Sequence, residues 1–474
     1  MLNAIWFRND LRLYDNPALC AAGQSSHPIV AFYFFTPEQF RLHDVGETKQ
    51  RFILETLAEL QKDLAALNIP LIAMLSSDYS NSENLLGKLC DRYNVQTVFA
   101  NRELELNERI RDRAAVQRLE KAGKSIQFYQ DQTILPVGEV LTAEGTPYRV
   151  FTPFKRAWLK QAAATTLASA PPPKRQTALD IEPTSVEEIL SWQSPTHANR
   201  FWQAGSHEAF KRLDNFCNSV IDRYQRERDL PSLESTSQLS PYLGVGAISL
   251  RTCLLQALQY NHHEWDSGNQ GILTWINELI WREFYKNLSY HYPELSKGEA
   301  FNSATKHIPW SRDTEILQRW QKGMTGFPLV DAGMRQLNHL GWMHNRLRMV
   351  TAMFLTKQLF IDWHLGEAYF MQNLIDADYA ANNGGWQWSA STGADAAPYF
   401  RVFNPVRQSQ RFDANGDFIR KWVPELAGLG PRQIHDPSPI ERQIAGYPLP
   451  IVDHKSSVEY VKQAFKTAQA MESV

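Results

Sequence analysis

Over roughly the first 130 residues, short apolar runs alternate with longer amphipathic stretches. NAIWFRN, HPIVAFYFF, IPLIAML, VQTVFAN and SIQFYQD have the length and the β-branched and aromatic content of strands. Between them, ETKQRFILETLAELQKDLAAL, NLLGKLCDRY and NERIRDRAAVQRLEKAG carry the helical period, with Leu54, Leu57, Leu60, Leu64 and Leu67 recurring along one of them. Strand–helix alternation predicts a parallel sheet wrapped by helices. Residues 135–200 lose this rhythm. LPVGEVLTAEGTPYRVFTPF is rich in turn signals and SAPPPKRQTALDIEPTS in proline and threonine, which predicts a long connector draped over the surface. From about residue 205 the pattern is helical almost to the end. It therefore predicts an α/β domain at residues 1–132, a connector at 133–204 and an all-α domain at 205–474.

Composition narrows the partners. The 474 residues carry a net charge of −2, so a nucleic acid would have to be held by a local basic patch. The 14 Trp, 17 Tyr and 24 Phe favour packed cores and flat stacking surfaces. Cys20, Cys90, Cys217 and Cys253 are scattered without CxxC spacing, which argues for a reducing compartment and against a disulfide frame or a zinc cluster. Charges at Arg8 and Asp10 interrupt any secretory h-region, and no run of about 18 uncharged apolar residues occurs. A cytoplasmic protein is expected. GxGxxG and Walker A sequences are both missing, as is any nucleophile–base motif, so a standard nucleotide-binding hydrolase has little support.

Four segments carry unusual chemistry. In TWINELIWREFYKNL, Glu278, Trp281, Arg282 and Tyr285 share one helical face, too polar for core and too aromatic for plain surface. Its plain reading is an i,i+4 ion pair beside an aromatic stripe; its functional reading is a grip on a planar ligand. In LNHLGWMHNRLRMVTAMFL, Gly341 is expected near a helix entry, Asn345 and Met349 share a face, and Arg346 is free to reach a phosphate. His344 by itself reads as a structural histidine. RYQRERDLPSLESTSQLSPYLGVGAIS places Thr236, Ser237, Gln238, Leu239 and Ser240 before a helix, where hydroxyls and backbone N–H groups favour phosphate, although such residues cap many ordinary helices. Finally, DADYAANNGGWQWSASTG combines Asp376 and Asp378 with paired amides, paired glycines and two indoles. Two aspartates invite a metal, yet no further ligands of suitable spacing lie nearby, and the plain reading is a tight loop between core helices.

Taken together, these segments resemble the photolyase/cryptochrome family along nearly the whole chain. The resemblance begins with WFRNDLRLYDN, continues through FTPFKRAWL and TSQLSPYLGVGAIS, and peaks in NELIWREFY, GWMHNRLRM and DADYAANNGGWQWSASTGADAAPYFRVFNP. Within that family the chain is most similar to bacterial class I cyclobutane pyrimidine dimer photolyases with a folate antenna. The resemblance implies an α/β antenna domain with a Rossmann-like sheet and a helical domain holding FAD. It assigns Tyr224, Thr236, Ser237, Gln238, Leu239, Ser240, Trp275, Arg282, Arg348, Asp376, Ala377 and Asp378 to that cofactor. Asn382 would stand at flavin N5, where an amide can donate or accept without titrating. Trp386, Trp363 and Trp310 match the family's electron-hopping chain from flavin to surface.

The implied reaction is electron transfer from excited FADH⁻ to a cyclobutane pyrimidine dimer flipped out of UV-damaged DNA. Trp281 and Trp388 would pack against the dimer, Glu278 would bond its edge, and Asn345 and Met349 would line its site. Arg228, Arg346 and Arg401 would contact flanking phosphates. His43, Asn107, Glu108 and Lys297 match positions that hold 5,10-methenyltetrahydrofolate, with 8-hydroxy-5-deazaflavin as the alternative antenna. A monomer is expected. Two rival readings remain: a (6-4) photolyase, against which Asn345 and Met349 stand where histidines would be, and a cryptochrome-type photoreceptor signalling through a protein partner, against which Glu278 and Trp281 stand.

Overall fold

All five predicted strands form. In the computed structural model, which describes residues 1–193 and 201–472, β1 (Leu2–Phe7), β2 (Ile29–Phe35), β3 (Leu71–Leu75), β4 (Val95–Asn101) and β5 (Ser125–Tyr129) pair in the order β3-β2-β1-β4-β5. Every neighbouring pair is parallel, with Ile5 of β1 beside Ala31 of β2 and Phe99 of β4. β2 is buried along its whole length, the burial expected of a central parallel strand covered on both faces and the reason its sequence is an unbroken apolar run. Trp6, Phe32, Phe34, Val98 and Ala100 form the core on one side with Leu86, Leu89, Ala115 and Leu119 from helices Ser82–Arg92 and Leu106–Glu120. Helix Glu47–Ala66 buries Leu54, Leu57, Leu60 and Leu64, as the period predicts, and stops at Leu67. Helix Pro17–Gln24 was not anticipated, although its signal is present: Asn16 caps the Leu19 N–H and Pro17 occupies the first turn.

The chain divides into two units. One comprises Met1–Gln225, Ser237–Ser296 and Ile375–Ala380; the other comprises Arg226–Thr236, Lys297–Leu374 and Ala381–Val474. The first contains the sheet and the 22-residue helix Gln270–His291, whose N-terminus is capped by Asn269. The second is built from helices, among them Pro328–Leu340, Asn345–Lys357, Trp363–Asn373 and His454–Glu472.

Three local expectations change. The stretch read as a surface connector contains helix Phe151–Ala164, which buries Phe151, Phe154, Trp158 and Ala162. Trp158 is fully buried and donates its indole N–H to Glu283, 2.5 Å away. Turn residues before this helix and prolines after it masked its apolar spacing. Residues 166–179 do run without regular structure and are mostly exposed, while 194–200 lie outside the described residues. Gly341 ends a helix instead of opening one: at φ +64° it closes Pro328–Leu340 by bonding its N–H to the Leu337 carbonyl. The asparagine–glycine–indole segment is helical, spanning Tyr379–Ala390. Two adjacent glycines cost about 2 kcal/mol of helix propensity relative to alanine, and side-chain bonds oppose that cost. Asn383 donates to Glu367 at 2.9 Å, and Gln387 donates to Asn383 at 2.9 Å.

Among the described residues, no helix is long and apolar enough to cross a membrane and no group of three or more His, Cys, Asp or Glu could hold a metal ion. All four cysteines are free.

Candidate functional site

The face predicted on helix Gln270–His291 is real. Glu278, Trp281, Arg282 and Tyr285 are half-buried, whereas Trp275, Leu279 and Phe284 beside them are buried. Trp281 lies flat on Phe151, ring centroids 3.6 Å apart and planes 6° from parallel. One face of the indole is thereby committed to holding the ring still. Trp275 and Tyr224 both pack on Phe216, at 5.1 and 5.7 Å between centroids.

Arg282 pairs with Asp378 at 2.8 Å, and Lys286, one turn further along the helix, reaches the same carboxylate oxygen at 3.1 Å. Lys286 also holds Glu105 at 2.5 Å. Lys49, from helix Glu47–Ala66, donates to the Ala377 carbonyl. The segment Asp376–Ala377–Asp378 is thus held by three cations from two helices. Burial lowers Lys49 to about 8, resisted by Asp378 and assisted by Lys286 and Arg282. Burial acts on Lys286 in the same direction, but Asp378 and Glu105 outweigh it and raise its pKa. Such a charge-dense, largely dry cluster can orient a ligand bearing both anionic and hydrogen-bonding groups.

Before the short helix Ser240–Val245, Ser237, Gln238 and Ser240 are half-buried and Leu239 is buried. Gln238 sits at φ +51° and accepts a bond from Arg212 at 2.9 Å. No side chain caps this helix, so the serines and threonine are not serving as the ordinary N-cap.

Beyond the carboxyl ends of β2 and β4, His43, Asn107 and Glu108 come together. His43 Nε2 accepts from Gln39 at 2.7 Å and from Asn107 at 2.8 Å, and its Nδ1 lies 3.8 Å from Glu108. Burial lowers the His43 pKa, keeping the ring neutral against the pull of Glu105 and Glu103. Burial raises Glu108 to about 8, reinforced by the same two glutamates, so its carboxyl is protonated near neutral pH and can donate a hydrogen bond. Its Oε2 is buried without a partner. Carboxyl ends of parallel strands are where open α/β sheets bind ligands. Lys297 is exposed in the second unit.

The other predicted residues belong to the second unit. Asn382 donates to the Glu367 carbonyl at 3.1 Å, which sets the orientation of its amide. Trp386 is buried against Phe370 and Trp320, with centroids at 4.9 and 6.1 Å. Trp363 is buried and stacked on His364 at 3.8 Å; Trp310 is half-buried on Phe360 at 4.9 Å. Burial therefore lessens from Trp386 and Trp363 to Trp310. Among the described residues no ring pair joins the three directly. Trp386 instead lies against Gly366, on the helix that Trp363 begins.

Arg346 pairs with Asp229 at 2.8 Å and lies over Phe412, 4.4 Å from its centroid. Arg228 approaches the same carboxylate at 3.9 Å. The two guanidinium groups expected at phosphates therefore share one acid. His344 is buried and is the N-cap of helix Asn345–Lys357, its Nδ1 accepting the Arg346 N–H at 3.2 Å. Asn345 is exposed, and Met349 and Trp388 are half-buried. Arg348 bonds the Met343 carbonyl at 2.8 Å, while Arg401 is exposed in the loop after Ala390.

Sequence reasoning missed Phe151, Lys49, Lys286, Asp229 and Glu367. Lys286 had a signal, standing at i+4 from Arg282 on the same helix. The others meet their partners only through folding.

Residues 3–175 match the family described as DNA photolyase, and residues 275–467 match the FAD binding domain of DNA photolyase. The deoxyribodipyrimidine photo-lyase of Vibrio cholerae is 44% identical, covering 99% of this chain and 100% of its own length. The protein of that name from Escherichia coli is 42% identical, covering 98% of each chain. Among solved structures, a bacterial class III photolyase from Agrobacterium tumefaciens superposes with a TM-score of 0.89 at 34% identity, covering 99% of this chain and 98% of that one. An archaeal photolyase from Sulfolobus tokodaii with two FAD molecules gives 0.83 at 29% identity, covering 98% of this chain and all of its own.

Proposed function

Because the chain belongs to the DNA photolyase family, we propose that it removes cyclobutane pyrimidine dimers from UV-damaged DNA in light, with reduced FAD as its cofactor. The observation that carries this reading is the Trp281 face. A half-buried indole, immobilised on Phe151 and one turn from Glu278, is a ready stacking platform with a hydrogen-bonding group beside it.

The donor set suits a flavin dinucleotide. Within the first unit, Arg282, Ser237 and Ser240 offer a cation and hydroxyls for a diphosphate; Asp376 and Asp378 offer acceptors for ring and ribityl donors; Trp275 and Tyr224 offer apolar walls, and Arg348 is assigned to the cofactor by the family resemblance. We assign Thr236, Gln238, Leu239, Ala377 and Asn382 to the same cofactor. When bound, reduced FAD supplies the light-excited electron donor for ring splitting. The chain's own residues do the rest. Arg228, Arg346 and Arg401 bind phosphates beside the lesion, a charge-driven and salt-sensitive contact. Trp281 and Trp388 pack on the extruded dimer, Glu278 bonds its edge, and Asn345 and Met349 line its site. Trp386, Trp363 and Trp310 carry an oxidising equivalent outward, from two buried indoles to a half-buried one.

His43, Asn107, Glu108 and Lys297 hold the antenna in this reading. A neutral Glu108 carboxyl with a buried, unpartnered oxygen suits the nitrogen-rich edge of a pterin, which favours 5,10-methenyltetrahydrofolate over 8-hydroxy-5-deazaflavin. The Sulfolobus protein holds two FAD molecules, so a second flavin is a further alternative. We place the antenna domain at residues 1–132 and the catalytic domain at 205–474, in a cytoplasmic monomer.

The test is direct. The purified protein should show flavin absorption, and the reduced protein under near-UV or blue light should clear dimers from irradiated oligothymidine. A protein that binds no flavin ends the reading. Flavin without dimer loss points to a photoreceptor. Heat-released chromophores identify the antenna.

A further inference from the structure

Lys357 ends helix Asn345–Lys357 and is fully buried, an environment that lysine rarely occupies without a reason. Among the described residues its partners are two backbone carbonyls, those of Pro398 at 3.4 Å and Arg401 at 3.2 Å. Burial, with Arg401 nearby, lowers its pKa to about 7; ammonium and amine both donate, so these bonds survive either charge state. Its neighbour Gln358, also buried, donates to the Phe403 carbonyl at 2.8 Å.

All three carbonyls belong to one exposed loop. Pro398–Arg401 is a tight turn in which the Arg401 N–H returns to the Pro398 carbonyl at 2.8 Å. Tyr399 points inward, stacked on Phe465 at 5.4 Å and 7°. Phe400 is 60% exposed and Arg401 is exposed. The loop is tied elsewhere as well: Ala397 donates its N–H to Trp388 at 3.2 Å, and Ser391 donates to the Ala397 carbonyl. Carbonyls turned toward a dry interior need donors, and the end of one helix supplies them.

We propose that Lys357, with Gln358, is a positioning residue for DNA: it clamps the turn that presents Arg401 to a phosphate beside the lesion. Lys357 touches no ligand and acts through the backbone of Arg401. The inference rests on the DNA-repair reading above.

The test uses the FAD-loaded protein in the dark and a dimer-containing duplex, with affinity measured from roughly 50 to 200 mM salt. Each phosphate contact contributes about 0.9 to the slope of log K against log salt. Arg401→Gln should lower that slope by about one contact. Lys357→Met should lower it by the same amount, and the double variant should lower it no further. Flavin absorption should persist in all three, and the wild-type protein should clear dimers in light, since a failure of either would indict the functional reading. A wild-type slope in Lys357→Met, or additive losses in the double variant, overturns the inference while leaving that reading intact. An unchanged slope in Arg401→Gln overturns the inference together with the Arg401 assignment. If Lys357→Met does not fold, Gln358→Met removes the donor to Phe403, and a wild-type slope there is equally fatal.

Discussion

Gly366 makes the space that Trp386 fills: a methyl group at Gly366 would overlap the Cη2 and Cζ3 atoms of the indole, with Leu355 closing the other side. Gly366→Ala should cost about 1–3 kcal/mol by overpacking, read as a lowered thermal midpoint. The same variant should slow photoreduction of the oxidised flavin, because the displaced ring is the first proposed carrier. Trp386→Phe should abolish that photoreduction and spare dimer removal by chemically reduced protein. Equal photoreduction in wild type and Trp386→Phe would refute the role.

Asp229 sits between two guanidinium groups, 2.8 Å from Arg346 and 3.9 Å from Arg228. A phosphate must compete with this carboxylate for both. Asp229→Asn should therefore tighten DNA binding by about three- to tenfold and steepen its salt dependence. Titration of labelled duplex at several salt concentrations checks the direction; weaker binding would mean that the acid's task is to hold the arginines in place.

Phe151 supports Trp281 face to face. Phe151→Ala should loosen the indole and weaken lesion binding by about 0.5–1.5 kcal/mol, the worth of one aromatic pair. Trp281→Arg should lose about 1–3 kcal/mol, the worth of a base stack. Affinity for undamaged DNA should hold for Phe151→Ala, so paired titrations with damaged and undamaged oligonucleotides separate stacking from charge.

His344 caps its helix through Nδ1 as an unprotonated acceptor. Burial lowers its pKa from 6.5 to about 4, with Arg346, Arg348 and Arg228 assisting against Asp229. The unfolded chain binds a proton below pH 6.5 and the folded chain only near pH 4. The stability from this group is therefore complete above pH 6.5 and falls by about 3 kcal/mol as the pH drops to 4. His344→Asn keeps a capping oxygen and cannot titrate. Its denaturant-derived stability should decline less over that interval than the wild type's.

Lys286 neutralises Glu105 and Asp378 at once. Lys286→Met should destabilise the protein by about 1–3 kcal/mol, since two half-buried carboxylates lose a shared cation while Arg282 remains on Asp378. Flavin content should fall with it, through the loosened Asp376–Asp378 segment. A calorimetric scan and the flavin-to-protein absorbance ratio provide the readings.

Periodicity alone was sufficient for the five strands, the three helices Glu47–Ala66, Ser82–Arg92 and Leu106–Glu120, and the grip face at Glu278, Trp281, Arg282 and Tyr285. Those features depend on neighbours within a few residues, and burial on one face leaves a repeat in the chain. It failed at Phe151–Ala164, where local turn and proline signals outweighed a sound apolar spacing, and at Tyr379–Ala390, where poor helix formers are held helical by Glu367 and by Gln387. The resemblance carried by the peak motifs named cofactor and lesion residues that no spacing could reach.

Only the tertiary structure decided how those residues are held. Sequence put Arg346 on a helix; folding placed Asp229, 117 positions away, against it. Sequence put Trp281 on a polar face; folding laid Phe151 beneath it. Lys49, Lys286 and Lys357 look like surface residues in the chain and are buried in the fold, because their partners are distant carboxylates and carbonyls. Local pattern determines which face of an element turns inward, and long-range packing determines which charge or ring it meets there.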